Sequence, residues 1–360
     1  MPFRQRFRPS QTTIMYTNAV YYPGQTAYSG TTPAGLNYAC INLVYYAFAK
    51  VTETGHVFLG DEYIDAQMAC DGVQGVLGSF LHIQQEQTHL QIVISIGGPE
   101  YTSTFAAIAA NPVYRDNFAQ SVYGLVEASG VDGVDVCWTF PANEQQATDL
   151  ALLLAQVRMY IGQDTYLTTT MGASREHLGM YDLPTIASLV DLINLAAYDF
   201  YGFWSPTSGH HAQLYAMTTD QASGASAIHY LVTHGVPSKK ILLGIPLYGR
   251  SFVGPKISGA HQPFTAVAGS TDGIFEYYSL PRPGAVEQID KRVVGAQCVG
   301  GDGGFVSYDS AETVREKGEF ARQKMLGGLF YWSAPCDSQD TKRSLVVSGF
   351  RALHGTPSLS

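Results

Sequence analysis

Val131-Asp132-Gly133-Val134-Asp135-Val136-Cys137-Trp138-Thr139-Phe140 alternates acidic or polar residues with β-branched ones and closes on an aromatic. Strand side chains alternate between two faces, so Asp135, Cys137 and Thr139 share one face and Val134, Val136 and Trp138 the other. Such a run normally projects several carboxylates from one strand end. Here only Asp135, the first of the three, is a carboxylate.

Around this segment, short β-branched or apolar runs recur, separated by longer stretches of helical periodicity, which is the pattern of βα units around a parallel sheet. Strands are expected near Thr13–Tyr16, Ile41–Phe48, Gln91–Ile96, Gly133–Cys137, Tyr166–Met171, Asp191–Ala197, Ile241–Pro246 and Gly328–Trp332. Eight of them imply a closed (β/α)8 barrel, an α/β fold. Between them, Glu144–Ile161 places Leu150, Leu153, Leu154, Val157 and Ile161 at helical spacing, and Ala311–Met325 does the same with Val314, Phe320 and Ala321. Ser251–Phe305, rich in Gly, Pro and Ser with β-like pieces at Phe275–Leu280 and Val293–Cys298, reads as a small α+β insertion between strand 7 and helix 7. The barrel is thus expected over 11–250 and 306–353, the insertion over 251–305, and flexible termini over 1–10 and 354–360.

The 360 residues are 46% hydrophobic and 14% charged, which suits one large domain with a sizeable core. A net charge of −9 argues against nucleic acid and anionic membranes as partners, since both demand basic patches. No stretch approaches the ~18 consecutive apolar residues of a membrane span, and Met1–Ser10 is Arg-rich without the apolar centre of a signal peptide. Cys40, Cys70, Cys137, Cys298 and Cys336 lack metal-site spacing, and the odd count leaves at least one unpaired while one or two bridges stay open. No cofactor or metal is implied.

The decapeptide resembles the signature of family 18 glycoside hydrolases (chitinases), Asp-Gly-x-Asp-x-Asp-x-Glu, with Cys137 in place of its last Asp and Thr139 in place of its proton-donating Glu. Further blocks follow in the family's order: Ser95-Ile96-Gly97-Gly98, Ala197-Tyr198-Asp199-Phe200-Tyr201-Gly202, Leu243-Gly244-Ile245-Pro246-Leu247-Tyr248-Gly249-Arg250 and Gly327-Gly328-Leu329-Phe330-Tyr331-Trp332. Together they span about Thr13 to Phe350. The resemblance implies that the sugar's own N-acetyl oxygen is the nucleophile, so that the protein's task is to protonate the leaving oxygen. A threonine hydroxyl is far too weak an acid, and a thiol with a reference pKa of about 8.5 stays neutral in an apolar barrel. A positioned acid–base group typically supplies about 10²–10⁴-fold in rate.

The expectation drawn from the resemblance is a chitin- or chitooligosaccharide-binding protein that is not an enzyme. Its catalytic set is then none, with Cys137 and Thr139 degenerate and Asp135 surviving. The same resemblance implies that Trp332 is the floor beneath the reactive N-acetylglucosamine and that Tyr198 and Asp199 bind its N-acetyl group. It sets Tyr248 and Arg250 along the cleft, Trp204 on the leaving-group side and Phe48 behind the reactive sugar, and Trp138 completes the binding set. Tyr21 and Tyr22 are expected as loop aromatics that could extend the platform. Pro99 and Ala196 stand where the family usually has Trp and Met, which removes contact surface and suits short oligomers. A secreted monomer is expected that sequesters chitin fragments, keeping them from a host's immune receptors. Two alternatives are a protein-interaction or inhibitor module with a filled cleft, and a residual slow chitinase using Asp135 through a water or Glu100.

Overall fold

The computed structural model describes residues 16–301 and 303–355. Eight strands form the barrel: β1 (Thr17–Pro23), β2 (Leu43–Val51), β3 (Gln91–Gly97), β4 (Gly133–Cys137), β5 (Tyr166–Gly172), β6 (Leu192–Ala196), β7 (Ile241–Pro246) and β8 (Gly328–Trp332). Each pairs in parallel with its neighbours, and the β1–β2 and β1–β8 ladders, which include Ala19 opposite Leu43 and Thr17 opposite Gly328, close the ring. The expected (β/α)8 barrel is the observed fold, because all-parallel strands need crossover helices that cover their outer faces.

Seven of the eight expected strands lie where the apolar runs placed them. The first does not. Thr13, Ile14 and Met15 lie outside the described residues, and the strand is Thr17–Pro23, with Asn18 fully buried in it. The polar pair Thr17-Asn18 reads as a break, yet the Asn18 amide donates to the carbonyls of Cys40 and Val346 and its carbonyl oxygen accepts from Tyr331 Oη, so it is satisfied inside the wall. The two tyrosines expected in a loop are therefore strand residues, and the period of two sends them opposite ways. Tyr21 enters the barrel lumen with Tyr45, Val93 and Phe330, while Tyr22 packs outward on Phe80.

The lumen is unusually polar at mid-height. Asp135 on β4 accepts hydrogen bonds from Tyr21 Oη (2.9 Å), Ser95 Oγ (2.7 Å) and Thr168 Oγ1 (2.8 Å), and Asn194 donates to the same tyrosine oxygen at 2.8 Å. Satisfying every oxygen in this way is what makes a buried carboxylate tolerable.

Beyond β7 the chain leaves the barrel for a five-stranded antiparallel sheet, in the order Ile274–Glu276, Tyr248–Phe252, Phe305–Tyr308, Gly295–Val299, Gln288–Asp290. It then returns through a helix at Ala311–Gln323, started by a capping box between Ser310 and Thr313. The sheet's first strand already begins at Tyr248, so Tyr248 and Arg250 stand on the insertion side of the cleft. His354, expected in a flexible tail, is the last residue of the helix Leu345–His354; residues 1–10 and 356–360 lie outside the described residues. All five cysteines are free thiols.

Candidate functional site

A cavity of about 530 Å³ opens at the C-terminal ends of the barrel strands. Of the expected site residues it gathers Phe48, Cys137, Thr139, Tyr198, Asp199, Trp204, Tyr248 and Trp332 on its walls. The interior is thus open over Trp332, and a cleft filled by side chains is not what the structure shows.

Trp332 ends β8 and forms the floor. It stacks on Phe48 (ring centroids 5.5 Å apart, planes 24° apart) and tilts against Tyr21 at 5.3 Å. Phe48 reaches it because the β2–β3 register shifts between Ala47 and Ala49, and a bulge of this kind re-aims the side chain it leaves out of the ladder. The aromatic pocket therefore depends on three different strands.

Opposite the floor, Asp199 follows β6 in a left-handed backbone conformation (φ 60°), which Asp tolerates better than most residues. Its Oδ1 accepts from Tyr248 Oη and Arg250 Nε, both at 2.8 Å, and its Oδ2 accepts from Arg250 Nη2 at 2.9 Å. His211 Nδ1 lies 3.5 Å away. Burial alone raises the Asp199 pKa, but the nearby His211 ring, the hydrogen bonds from Arg250 and the guanidinium charge outweigh it and hold the carboxyl well below its ordinary range. The same guanidinium lies 4.7 Å from the Trp204 ring centroid. Arg250 is 6% exposed and stands behind the wall rather than on it, a fork that holds Asp199 with its N–H edge and Trp204 with its face.

On β4 the Cys137 thiol faces the cavity with Thr139 Oγ1 3.9 Å from its sulfur. Burial, followed by the Asp135 charge, pushes the thiol up to about 12, so it stays protonated at neutral pH. Asp135, two residues down the strand, is fully enclosed, and burial raises its pKa against the hydrogen bonds from Ser95, Thr168 and Tyr21. Among the described residues lining the cavity, Asp199 is the one carboxylate. Glu100 is exposed and stands outside the lining.

Trp138 is corrected. It points away from the cavity, is 0% exposed, and stacks on Phe105 at 5.7 Å with planes 9° apart. The period of two that aims Cys137 and Thr139 inward necessarily aims Trp138 into the helix layer. Sequence reasoning held Tyr21 as a loop residue and passed over Phe140, Thr170, Ser174 and His177, all on the cavity wall. Phe140 was legible, being the aromatic that closes the β4 run. His177 was not, because it arrives from the short helix Arg175–Leu178 and meets Phe140 at 5.4 Å only through the fold.

The family model of glycosyl hydrolases family 18 matches residues 17–337. Endochitinase 1 of Metarhizium robertsii is 31% identical over 94% of this chain and 86% of its own length, and chitinase 1 of Aphanocladium album is 29% identical over 94% and 85%. Among solved structures, a class V chitinase from Nicotiana tobaccum in complex with NAG4 superposes with a TM-score of 0.82 at 25% identity, covering 94% of this chain and 99% of the other. The group IV chitinase of Ostrinia furnacalis shares the fold at a TM-score of 0.86 and 22% identity, over 95% and 100%.

These relatives overturn the expectation that the chain is no enzyme. That expectation weighed two side chains of β4 against the rest of the molecule, whereas the similarity to named chitinases runs through almost the whole chain. The chain belongs to family 18 of the glycosyl hydrolases.

Proposed function

We propose that the barrel-top cavity binds short chitooligosaccharides, with one N-acetylglucosamine ring lying on Trp332 and its N-acetyl group turned toward Tyr198 and Asp199. The supporting observation is the open aromatic cavity itself. A flat sugar face buries well on an indole, and Phe48 and Tyr21 keep that indole flat and rigid. Asp199, locked in its charged form, is a fixed acceptor for an amide N–H or a hydroxyl. A likeness to a chitinase seen with NAG4 points to the same ligand class.

The protein works as a secreted monomer that takes chitin fragments into this cleft. For bond cleavage the glycosidic oxygen needs a proton, and Thr139 and the neutral Cys137 thiol are poor donors. The carboxyl with a raised pKa at the base of the site is Asp135, which makes it the residue to test for turnover.

Titration calorimetry with chitotetraose, with the products followed by chromatography in the same sample, checks both halves. Binding that Trp332→Ala weakens by roughly tenfold or more is expected, since an aromatic platform is worth on the order of 1–2 kcal/mol. Equal affinity in that variant would show that the sugar lies elsewhere. Products that vanish in Asp135→Asn would make Asp135 the proton source, while products unchanged in that variant would acquit it.

A further inference from the structure

A second cavity, of about 440 Å³, lies between the loop that follows β6 and the inserted sheet, and the cleft does not use it. Its walls include Met217, Gln221 and His210 from the barrel side and Asp290, Arg292 and Val293 from the insertion. His210 is 3% exposed, and its Nε2 has no hydrogen-bond partner, although buried polar atoms nearly always find one.

The orientation of that ring is fixed. Phe305 meets it edge-on at 5.9 Å, and Gly295 leaves it room that a methyl group would take, since a Cβ there would lie 2.6 Å from Nδ1. Ser307 Oγ accepts the backbone N–H of His211 at 3.2 Å and sits 3.4 Å from His210 Nδ1; in the tautomer in which the serine proton goes to Nδ1, the imidazole proton stands on Nε2. Facing that N–H, 4.0 Å away, is Asp290 Oδ2. The gap is too long for one hydrogen bond and matches two bonds of about 2.8 Å meeting near a right angle on a single bridging atom.

The bridging atom must accept from Nε2–H and donate to a carboxylate. A hydroxyl, of a water or of a ligand, does both, while a carboxylate cannot donate and an ammonium cannot accept. Net charge is not called for, because the Asp290 carboxylate is already paired with Arg292 through Nε (3.0 Å) and Nη2 (2.7 Å). Met217, Val293 and Ala260 supply apolar wall for the C–H faces of a ring. We infer that this second cavity is a binding site for a neutral saccharide unit, one hydroxyl of which bridges His210 and Asp290. It is separate from the cleft, although His211, the next residue, faces Asp199 there.

The test uses glucose and N-acetylglucosamine as probes on the full chain, by ligand-observed NMR and by crystal soaking. In a Trp332→Ala background, which removes the platform of the cleft, at least one probe is expected to remain bound, with a hydroxyl between His210 Nε2 and Asp290. His210→Phe is expected to weaken that binding roughly tenfold, the loss of one buried hydrogen bond to a bridging group. Because a buried substitution can unfold the loop, Met217→Trp is the second variant: Met217 is 46% exposed at the rim, so an indole there covers the mouth without disturbing the core. Binding unchanged in Met217→Trp, a lone water in the soaked gap, or loss of all monosaccharide binding with Trp332→Ala alone would each overturn the inference. The chitotetraose titration judges the cleft separately.

Discussion

Arg250 carries more of this site than its small exposure suggests. One guanidinium satisfies both oxygens of Asp199 and lies over Trp204, so it joins the inserted sheet to the loop after β6. Removing the negative charge leaves the guanidinium enclosed with neutral partners alone, the Asp272 carbonyl and the Trp204 and Tyr248 rings among them, and Asp199→Asn is expected to cost about 2–3 kcal/mol at neutral pH. The sign with pH follows from the direction of the shift. The Asp199 carboxyl is held below its unfolded value, so its contribution is present above a pH of about 4 and is lost as pH falls through the folded value. Denaturant titrations across acid pH should therefore show the stability gap between the wild type and Asp199→Asn narrowing below pH ~4. A gap that stays constant would show that the loss is one of packing rather than of charge. The Tyr198-Asp199 pair was legible in the sequence, because an Asp directly after an apolar strand requires a partner. That Arg250, an Arg at the end of an apolar strand, needs an acceptor such as a sugar, Asp199 or Asp135 was legible too; that it takes Asp199, and from behind the wall, was not, since this needs the insertion folded against the barrel.

Strand alternation settles most of what each element presents. On β4 and just past its end, Asp135, Cys137 and Thr139 point inward, and the same rule keeps Trp138 off the cavity wall. Trp138→Phe is accordingly expected to leave chitotetraose affinity unchanged. Its cost in stability should be small, about 1 kcal/mol, because the lost volume is offset by removal of an indole N–H that has no partner in the core. A tenfold fall in affinity in calorimetry, with the fold intact, would return Trp138 to the site. β8 tolerates less. Gly328 has φ 151°, and a Cβ there would lie 1.8 Å from the Thr17 carbonyl oxygen in the closing β1–β8 ladder. Gly328→Ala should therefore cost roughly 2–4 kcal/mol by forcing the two strands apart, read as a lowered denaturation midpoint. Strands β2 to β8 were readable because their apolar runs are bounded by clear breaks. β1 was shifted because a buried, fully bonded Asn looks like a strand end when its partners, distant in sequence, are unknown.

At the scale of the molecule, the cavity is assembled from distant pieces of chain. Tyr21 comes from β1, Phe48 from β2, Thr170 from β5, Trp332 from β8 and Tyr248 from the first strand of the insertion. Where the inserted sheet returns to the barrel, the buried Lys317 ammonium bonds the carboxylate of Asp309, the residue that follows the strand Phe305–Tyr308, and the Ala212 carbonyl in the loop after β6. A ligand that contacts all these pieces binds only the closed ring, so its binding free energy adds to the stability of the whole unit. Chitotetraose at a hundredfold excess over its dissociation constant should add about 2.7 kcal/mol. For a chain longer than 250 residues, where each kcal/mol moves the midpoint by about 2 °C or less, calorimetry should show a single transition raised by a few degrees. The rise should shrink in Trp332→Ala in step with the lost affinity. Two transitions, of which the sugar moves only one, would mean that the inserted sheet melts apart from the barrel and that Arg250 and Lys317 do not couple them.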